Sequence, residues 1–575
     1  LRDYAETKAG AVGSVPSPLV QGVKRPQGQA GVSSLSFGAP EGPPRLTSIF
    51  DDFTLRSPSC VLAMDDEGLV LARGPFGGRS LYYASNESAG EVVACSRFEP
   101  ILAWLSPFPS VDVERLAELV AMRDSLDAAS TPYRGISRVG SCFAIRFSVR
   151  GKSVVKRVPS WPALRRSDAS LLANDLRSTL ECVVERSSRP FSKIAVMAGG
   201  GVDSSGILAV LDACARRRGN LGVQPYAMDF AGPGDDRPHL RELAVYLGAR
   251  PNRTRPAEAV GILPATLVVD GMPNVIPGMS LLMWIGRQAR HQGAEATFTG
   301  FAGDDVLDGD LSSFAARARQ GEAVLAFVDV ARLRGPWRGS RLGRVRDLFF
   351  RRLLADALPG TWLSTWSRLR AKRRTMRSEQ WSWAGPRLRV RLCERPETER
   401  KDYWSRLATF GALLDDADAR GQQECETRLP RIDVYLDAEM VDFLASVPPK
   451  LFFHDHRVRG LYRSAMRGLL PNSLRLRTDK AEFEPANDEL ARAVCESPWF
   501  VKLLRMEALG DLGLVEPRRF REAFGKFKDH RADRSWLEFW PALAVEGFAL
   551  GWGQRPAATG ESGCDTLPKV EYSRN

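Results

Sequence analysis

No stretch of this 575-residue chain is built to cross a bilayer. The longest uncharged run of note, residues 271–286, has 16 residues and two prolines, short of the roughly 20 apolar residues a span needs. The nine cysteines include no CxxC pair, which argues against both a secreted disulfide framework and a zinc site. Residues 1–20 lack a basic region followed by an apolar core, so no signal peptide is expected and a reducing cytoplasm is the expected location. No internal repeat is found. What remains is ordinary for a folded globular protein, 44% apolar, 26% charged and 9% aromatic, with a length that suggests two to four domains.

Acidic residues are scarce in one place. Residues 332–391 hold 17 basic side chains against Asp347, Asp356 and Glu379, a local charge of 17 − 3 = +14 within a net +12, so the rest of the chain carries 12 − 14 = −2. Five tryptophans (Trp337, Trp362, Trp366, Trp381, Trp383) share that segment. Interleaved Arg and Trp suits a partner or substrate contact. The simpler reading is an amphipathic helical insertion, because Val345, Leu348, Phe349, Arg352 and Leu353 recur at helical spacing. A charge confined to 60 residues does not make a nucleic-acid-binding protein, and none is expected as a partner.

The patterning predicts a mixed α/β chain. Residues 1–46 read as a flexible arm or a weakly ordered strand, and 47–165 as an α+β unit of short strands with a helix near 113–122. From 166 to 554 strands and helices alternate as in a parallel sheet, with helices dominating after Pro430 and the Arg/Trp-rich insertion at 332–391. Residues 555–575 read as a polar tail.

The most informative stretch is IAVMAGGGVDSSGIL, residues 194–208. An apolar strand runs into Ala198, Gly199, Gly200 and Gly201, and Val202, Asp203, Ser204 and Ser205 open a helix. Glycines let the backbone approach an anion, and a helix start offers unpaired N–H groups to phosphate oxygens. An aspartate at that place can hold magnesium on those phosphates. The spacing is neither a Walker A motif nor a dinucleotide fingerprint. A second strand ends at Thr299-Gly300-Phe301 in ATFTGFAGDDVLDG, residues 296–309, with Asp304 and Asp305 at the edge where ligands of open α/β sheets bind.

Together these motifs resemble the SGGxDS and S/T-G-x-G-x-D-E elements of the asparagine synthetase family of ATP-dependent amide ligases. PYAMDFAGPGDDR (225–237), GLYRSAMRGLLP (460–471) and RLRTDKAEF (475–483) are similar to its later motifs. The resemblance implies a doubly wound ATP pyrophosphatase domain with ATP and Mg²⁺ as cofactors, Met228 beside the adenine, Asp203 and Asp304 as metal ligands, and Lys480 on phosphate and the transition state. Gly199 stands where the family has its first serine. VLARGPFGGRSLYY (70–83) resembles the family's glutaminase half, an N-terminal-nucleophile (Ntn) fold. That half starts its mature chain with a cysteine; Leu1 begins this sequence and the first cysteine is Cys60, so a degenerate domain without glutamine hydrolysis is expected.

Two branches of the family have lost that activity, the β-lactam synthetases and the lasso peptide macrolactam synthetases. The former resemblance places a tyrosine base at the position of Phe301, which cannot accept a proton. A peptide N-terminal amine, with a pKa near 8, needs less help from a base. The length, the basic insertion and WLEFW (536–540) are also more similar to the lasso cyclases. Glu424 and Glu426 lie where related enzymes put an acid near the amine, and Glu426 is carried as the candidate base. His454 and His456 read as a polar loop rather than metal ligands. The implied partners are a precursor peptide and, with it, a leader peptidase and a leader-recognition protein. The alternatives are another ligase of the family, β-lactam-type included, and an inactive peptide-binding scaffold.

Overall fold

The computed structural model describes residues 21–23, 34–37 and most of 60–551; segments 354–380, 394–402, 480–482 and 530–535 and everything after 551 are among those outside the description. Lys480, Trp337, Trp362, Trp366, Arg352 and the expected polar tail therefore lie outside the described residues.

Two antiparallel sheets form first. One runs β1 (Gln21–Val23), β6 (Glu91–Cys95), β5 (Tyr82–Asn86), β7 (Ile136–Arg138); the other runs β2 (Ser34–Phe37), β3 (Cys60–Asp65), β4 (Gly68–Arg73), β8 (Phe143–Ser148), β9 (Gly151–Lys156). The period-2 alternation of the sequence explains how they stack. Tyr83 and Ala94 meet Leu62, Leu71 and Ile145 of the other sheet, while Tyr82, Ala84, Val93 and Cys95 turn to the opposite face and pack on the helices Glu99–Trp104 and Val113–Val120. Two of these strands, β1 and β2, come from the segment read as a flexible arm or weakly ordered strand.

A third sheet is wholly parallel, in the order β12 (Asn252–Thr254), β11 (Gly222–Met228), β10 (Lys193–Met197), β15 (Ala296–Thr299), β16 (Arg431–Asp433). A small ribbon, β13 (Val268–Val269) with β14 (Met272–Pro273), sits between β12 and β15 in sequence. Both faces of the parallel sheet are covered, which is why β10 reads as a continuous apolar run. Ile194, Val196 and Ala227 pack toward the helices Ala169–Ser188 and Val202–Arg218. Ala195, Tyr226 and Met228 pack the other way, with the helices Met279–His291 and Trp540–Ala549. The chain fills β11 and β12 on one side of β10 before crossing to β15 and β16 on the other. The strand order thus reverses between β10 and β15, and the crevice beyond their carboxyl ends is where such sheets bind ligands.

In the Arg/Trp-rich segment, Trp383 is fully buried and its ring lies 5.1 Å from Phe520. Val345 and Phe349 are buried as the helical spacing predicts. The described tryptophans of this segment, Trp381 and Trp383, therefore serve the core. Among the described residues no helix is long and apolar enough to cross a membrane.

Candidate active site

Each strand beside the reversal point ends in a glycine-rich turn, and the two turns interlock. A Cβ on Gly300 would stand 2.8 Å from the backbone N of Ser204, and one on Gly303 would stand 2.8 Å from Cγ of Asp203. Only glycine allows the loops this close, so the sequence of one turn presupposes the other. Ala302 pays for the approach with φ at +62°, a conformation that costs a non-glycine residue about 1 kcal/mol or more.

Within the first loop the Gly199 peptide turns to the helix: its N–H donates to Ser204 Oγ at 3.1 Å, and Ser204 and Ser205 hydroxyls donate back to its carbonyl at 3.2 Å. The Gly200 N–H donates to Asp236 at 2.8 Å, and Arg477 ties the Gly200 carbonyl at 2.6 Å to Asp236 at 2.7 Å. Gly201 is the helix N-cap and supplies no side-chain cap. The first N–H groups of the 17-residue helix Val202–Arg218 are thus left to face the cavity with the positive end of its dipole.

That cavity encloses about 400 Å³ and is lined by Ala198, Gly199, Gly201, Val202, Asp203, Ser204, Met228, Thr299, Gly300, Phe301 and Asp304. It therefore gathers most of the residues expected to hold nucleotide. Gly200 and Ser205 are behind this surface, as their hydrogen bonds require. Gln423, Arg431, Arg459, Arg463 and Arg477 also line it, together with Asp236, Asp479 and apolar side chains such as Ile285 and Phe483.

Asp203 is mostly buried, with 13% of its side chain exposed, and this burial pushes its carboxyl up to about 6, with Arg459 opposing the rise and Asp304 and Asp308 adding to it. Arg459 forms ion pairs with Asp203, Asp304 and, at 2.5 Å, Asp308. Burial works against its charge, yet three carboxylates hold the guanidinium well above its ordinary range. Its backbone is left-handed, φ +58°, and the next residue, Gly460, packs so near the His454 carbonyl that a Cβ would stand 2.0 Å from it. Tyr462 donates to Tyr435, which donates to the Asp203 carbonyl at 2.9 Å, fixing the aspartate from below. Asp203 Oδ1 is buried with no hydrogen-bond partner. Two hard-oxygen ligands that converge on one cation, one with an unused buried oxygen, fit Mg²⁺, which ordinarily takes one or two carboxylates together with substrate phosphates. Among the described residues no set of three or more His, Cys, Asp or Glu side chains forms a metal site by itself.

Glu426 is not among the residues lining the cavity; its carboxylate pairs with Arg287. Glu424 is held by Arg79 at 2.7 Å and by Arg420. His456 pairs with Asp329 and His454 with Asp455, both outside the cavity. Cys60 is buried, its thiol pushed up by burial and donated to the Arg79 carbonyl. The sequence reading did not single out Arg459, Asp236, Arg477, Arg431 or Gln423. Asp236, Arg463 and Arg477 fall inside the motif stretches 225–237, 460–471 and 475–483, which was the available signal.

Comparison with known proteins agrees with this geometry. The family model described as asparagine synthase matches residues 175–549, well over half of the chain. The chain is also similar to asparagine synthetase [glutamine-hydrolyzing] 3 of Bacillus subtilis (strain 168), 21% identical over 454 residues that cover 74% of this chain and 67% of that protein.

Proposed function

We propose a reaction for this chain, which belongs to the asparagine synthase family and so carries an ATP-dependent ligase domain: it joins a carboxylate and an amine of one peptide into a macrolactam, as lasso peptide cyclases do. The observation that carries the ligase reading is the pair of interlocked glycine turns with Asp203 and Asp304 between them at the sheet's reversal point. The helix start and the Gly-rich loop would receive phosphate oxygens, and Met228 would lie along the adenine. Asp203 and Asp304 would hold magnesium, which neutralises phosphate charge when bound. Arg459, displaced from its carboxylates by that cation, and Arg477 would face the departing pyrophosphate. A carboxylate oxygen attacks the α-phosphorus, the bond to the bridging oxygen of the β-phosphate breaks, and pyrophosphate leaves. The amine nitrogen then attacks the acyl carbon, AMP leaves with the electron pair, and the amine gives up a proton. Lys480 is proposed to stabilise the charge on both transition states.

What supports the macrolactam over a β-lactam product is Phe301. Its ring lies under the Arg431 guanidinium, 4.5 Å from the centroid, so no proton acceptor stands at that position. An amine that is partly neutral already needs none. The test is to incubate the protein, ATP and magnesium with candidate precursor peptides bearing a free N-terminal amine and an Asp or Glu. AMP, pyrophosphate and a peptide lighter by one water support the proposal. AMP formation with only an intermolecular amide would move the protein elsewhere in its family, and no nucleotide turnover with any carboxylate would favour a binding scaffold.

A further inference from the structure

One wall of the cavity is neither phosphate loop nor metal site. Gln423, from the helix Gly411–Thr427, and Arg431, at the start of β16, meet Phe301 there. Arg431 is only 3% exposed. Its Nε donates to Asp433 at 2.8 Å and its Nη1 to Gln423 Oε1 at 3.1 Å. Among the described residues these are the side-chain hydrogen bonds it makes, and a guanidinium has five N–H donors. Because arginine only donates, the Gln423 oxygen must face it, and the amide nitrogen must point elsewhere. That nitrogen is buried and has no hydrogen-bond partner. An orphaned buried amide is destabilising unless something accepts from it.

The charges behind this wall do not balance. Asp433 pairs with Arg431 and, at 3.6 Å, Arg420; Glu424 pairs with Arg420 and Arg79. Three guanidinium groups against two carboxylates leave 3 − 2 = +1, and Arg431 is the member of the cluster that reaches the cavity. A donor-rich, singly positive wall next to a polyphosphate cradle has a physical purpose. A second anion brought beside a triphosphate needs its own counter-charge, or repulsion keeps it away.

We infer that Arg431 and Gln423, with Phe301 as the floor, form the subsite for the substrate's reacting carboxylate. The inference rests on the ligase reading and names the groups that would select an acidic side chain. The carboxylate's charge vanishes when the acyl phosphate bond forms, so this contact acts mainly before chemistry and sets the half-saturating substrate concentration rather than the maximal rate.

The probe is a pair of C-terminally amidated peptides whose only possible carboxylate is one Asp side chain, replaced by Asn in the second. Peptide binding is followed by thermophoresis and turnover by ATP–pyrophosphate exchange. The wild-type protein should bind the Asp peptide at least tenfold more tightly than the Asn peptide. Gln423→Glu, which cancels the surplus charge and removes the free donors, should abolish that preference and raise the half-saturating peptide concentration at least tenfold, with ATP half-saturation changed less than twofold. Arg431→Lys, which keeps charge but not the fork, should give an intermediate loss. No Asp/Asn preference in the wild type, a preference that survives Gln423→Glu, or an equal loss of ATP binding overturns the inference. Preferential binding without any exchange would leave the subsite standing and sink the ligase reading instead, so the two fail separately.

Discussion

Replacing Arg459 with methionine keeps a long unbranched side chain and removes a guanidinium that pairs with Asp203, Asp304 and Asp308. Taking one partner out of a buried ion pair costs about 3–5 kcal/mol, because the remaining charge stays desolvated. The three carboxylates do not share that cost equally. Asp304 and Asp308 are 51% and 37% exposed, and water screens them once the arginine is gone. Asp203, 13% exposed, has no such relief, so the loss falls on it and the lower end, about 3 kcal/mol, is expected in metal-free buffer at pH 8. The pH dependence follows from its carboxyl, already pushed up to about 6 with Arg459 in place. Without the arginine it rises further, and the folded variant takes up a proton more readily than the unfolded chain. The deficit is therefore largest above pH 7 and shrinks as the pH falls toward 5.5.

Magnesium supplies the missing charge. Millimolar Mg²⁺ is expected to stabilise Arg459→Met more than it stabilises the wild type, since the variant lacks the guanidinium that competes with it for Asp203 and Asp304. Denaturant melts at pH 8 and pH 5.5, with and without Mg²⁺, measure all of this. A variant within about 0.5 kcal/mol of the wild type at pH 8, or a deficit that grows on acidification, would show that Arg459 is not what holds Asp203 in its charged form.

Three further predictions concern the loop, the metal ligands and the core. Gly199→Ser should fold normally and lower the ATP concentration at half-saturation, because its φ is not left-handed and a Cβ there meets Asp236 no closer than 3.4 Å; Gly200→Ala should instead lose the Asp236 contact, since its Cβ would lie 2.9 Å from that carboxylate, and nucleotide titration of both variants tests the contrast. Asp203→Ala and Asp304→Ala should each lower turnover by about 10²–10³ or more, the usual cost of a preorganised charge-stabilising group, and AMP release at the wild-type rate in either variant would remove the metal assignment. Glu546 accepts from the Ala508 and Leu509 N–H groups in the core, and burial pushes its carboxyl from 4.5 up to about 7. The folded state then binds this proton more tightly than the unfolded one, so up to about 3 kcal/mol is lost as the pH rises from 4.5 to 7. Glu546→Gln should flatten stability against pH over that window in urea melts, and an unchanged slope would refute the assignment.

The parts of this site that could be read from the sequence are those whose chemistry is local. An apolar strand, three glycines and a helix start lie within 15 consecutive residues, so spacing alone announces an anion cradle at Gly199 to Ser205, and the same holds for Thr299 to Asp304. The central strand β10 was equally legible, as a five-residue apolar-rich run bounded by a loop and a glycine turn. β12 and β16, three residues each, are too short for any period to emerge, yet they close the sheet and β16 carries Arg431.

The illegible residues share a physical cause: each acts through a partner far away in sequence. Arg459 reaches Asp203 across 256 positions and Arg477 reaches Asp236 across 241. An arginine in isolation reads as a solvated surface charge, and this chain has many. The same distance explains Gln423 and Arg431, whose roles exist only because β16 is laid beside β15, with Asp433 in register with Thr299 and bound to its hydroxyl at 2.5 Å. Local motifs thus mark where phosphate would lie, and the long-range arginines decide what else can share the cavity. The proposed acyl subsite is therefore to be tested at Gln423 and Arg431, which no local motif announces.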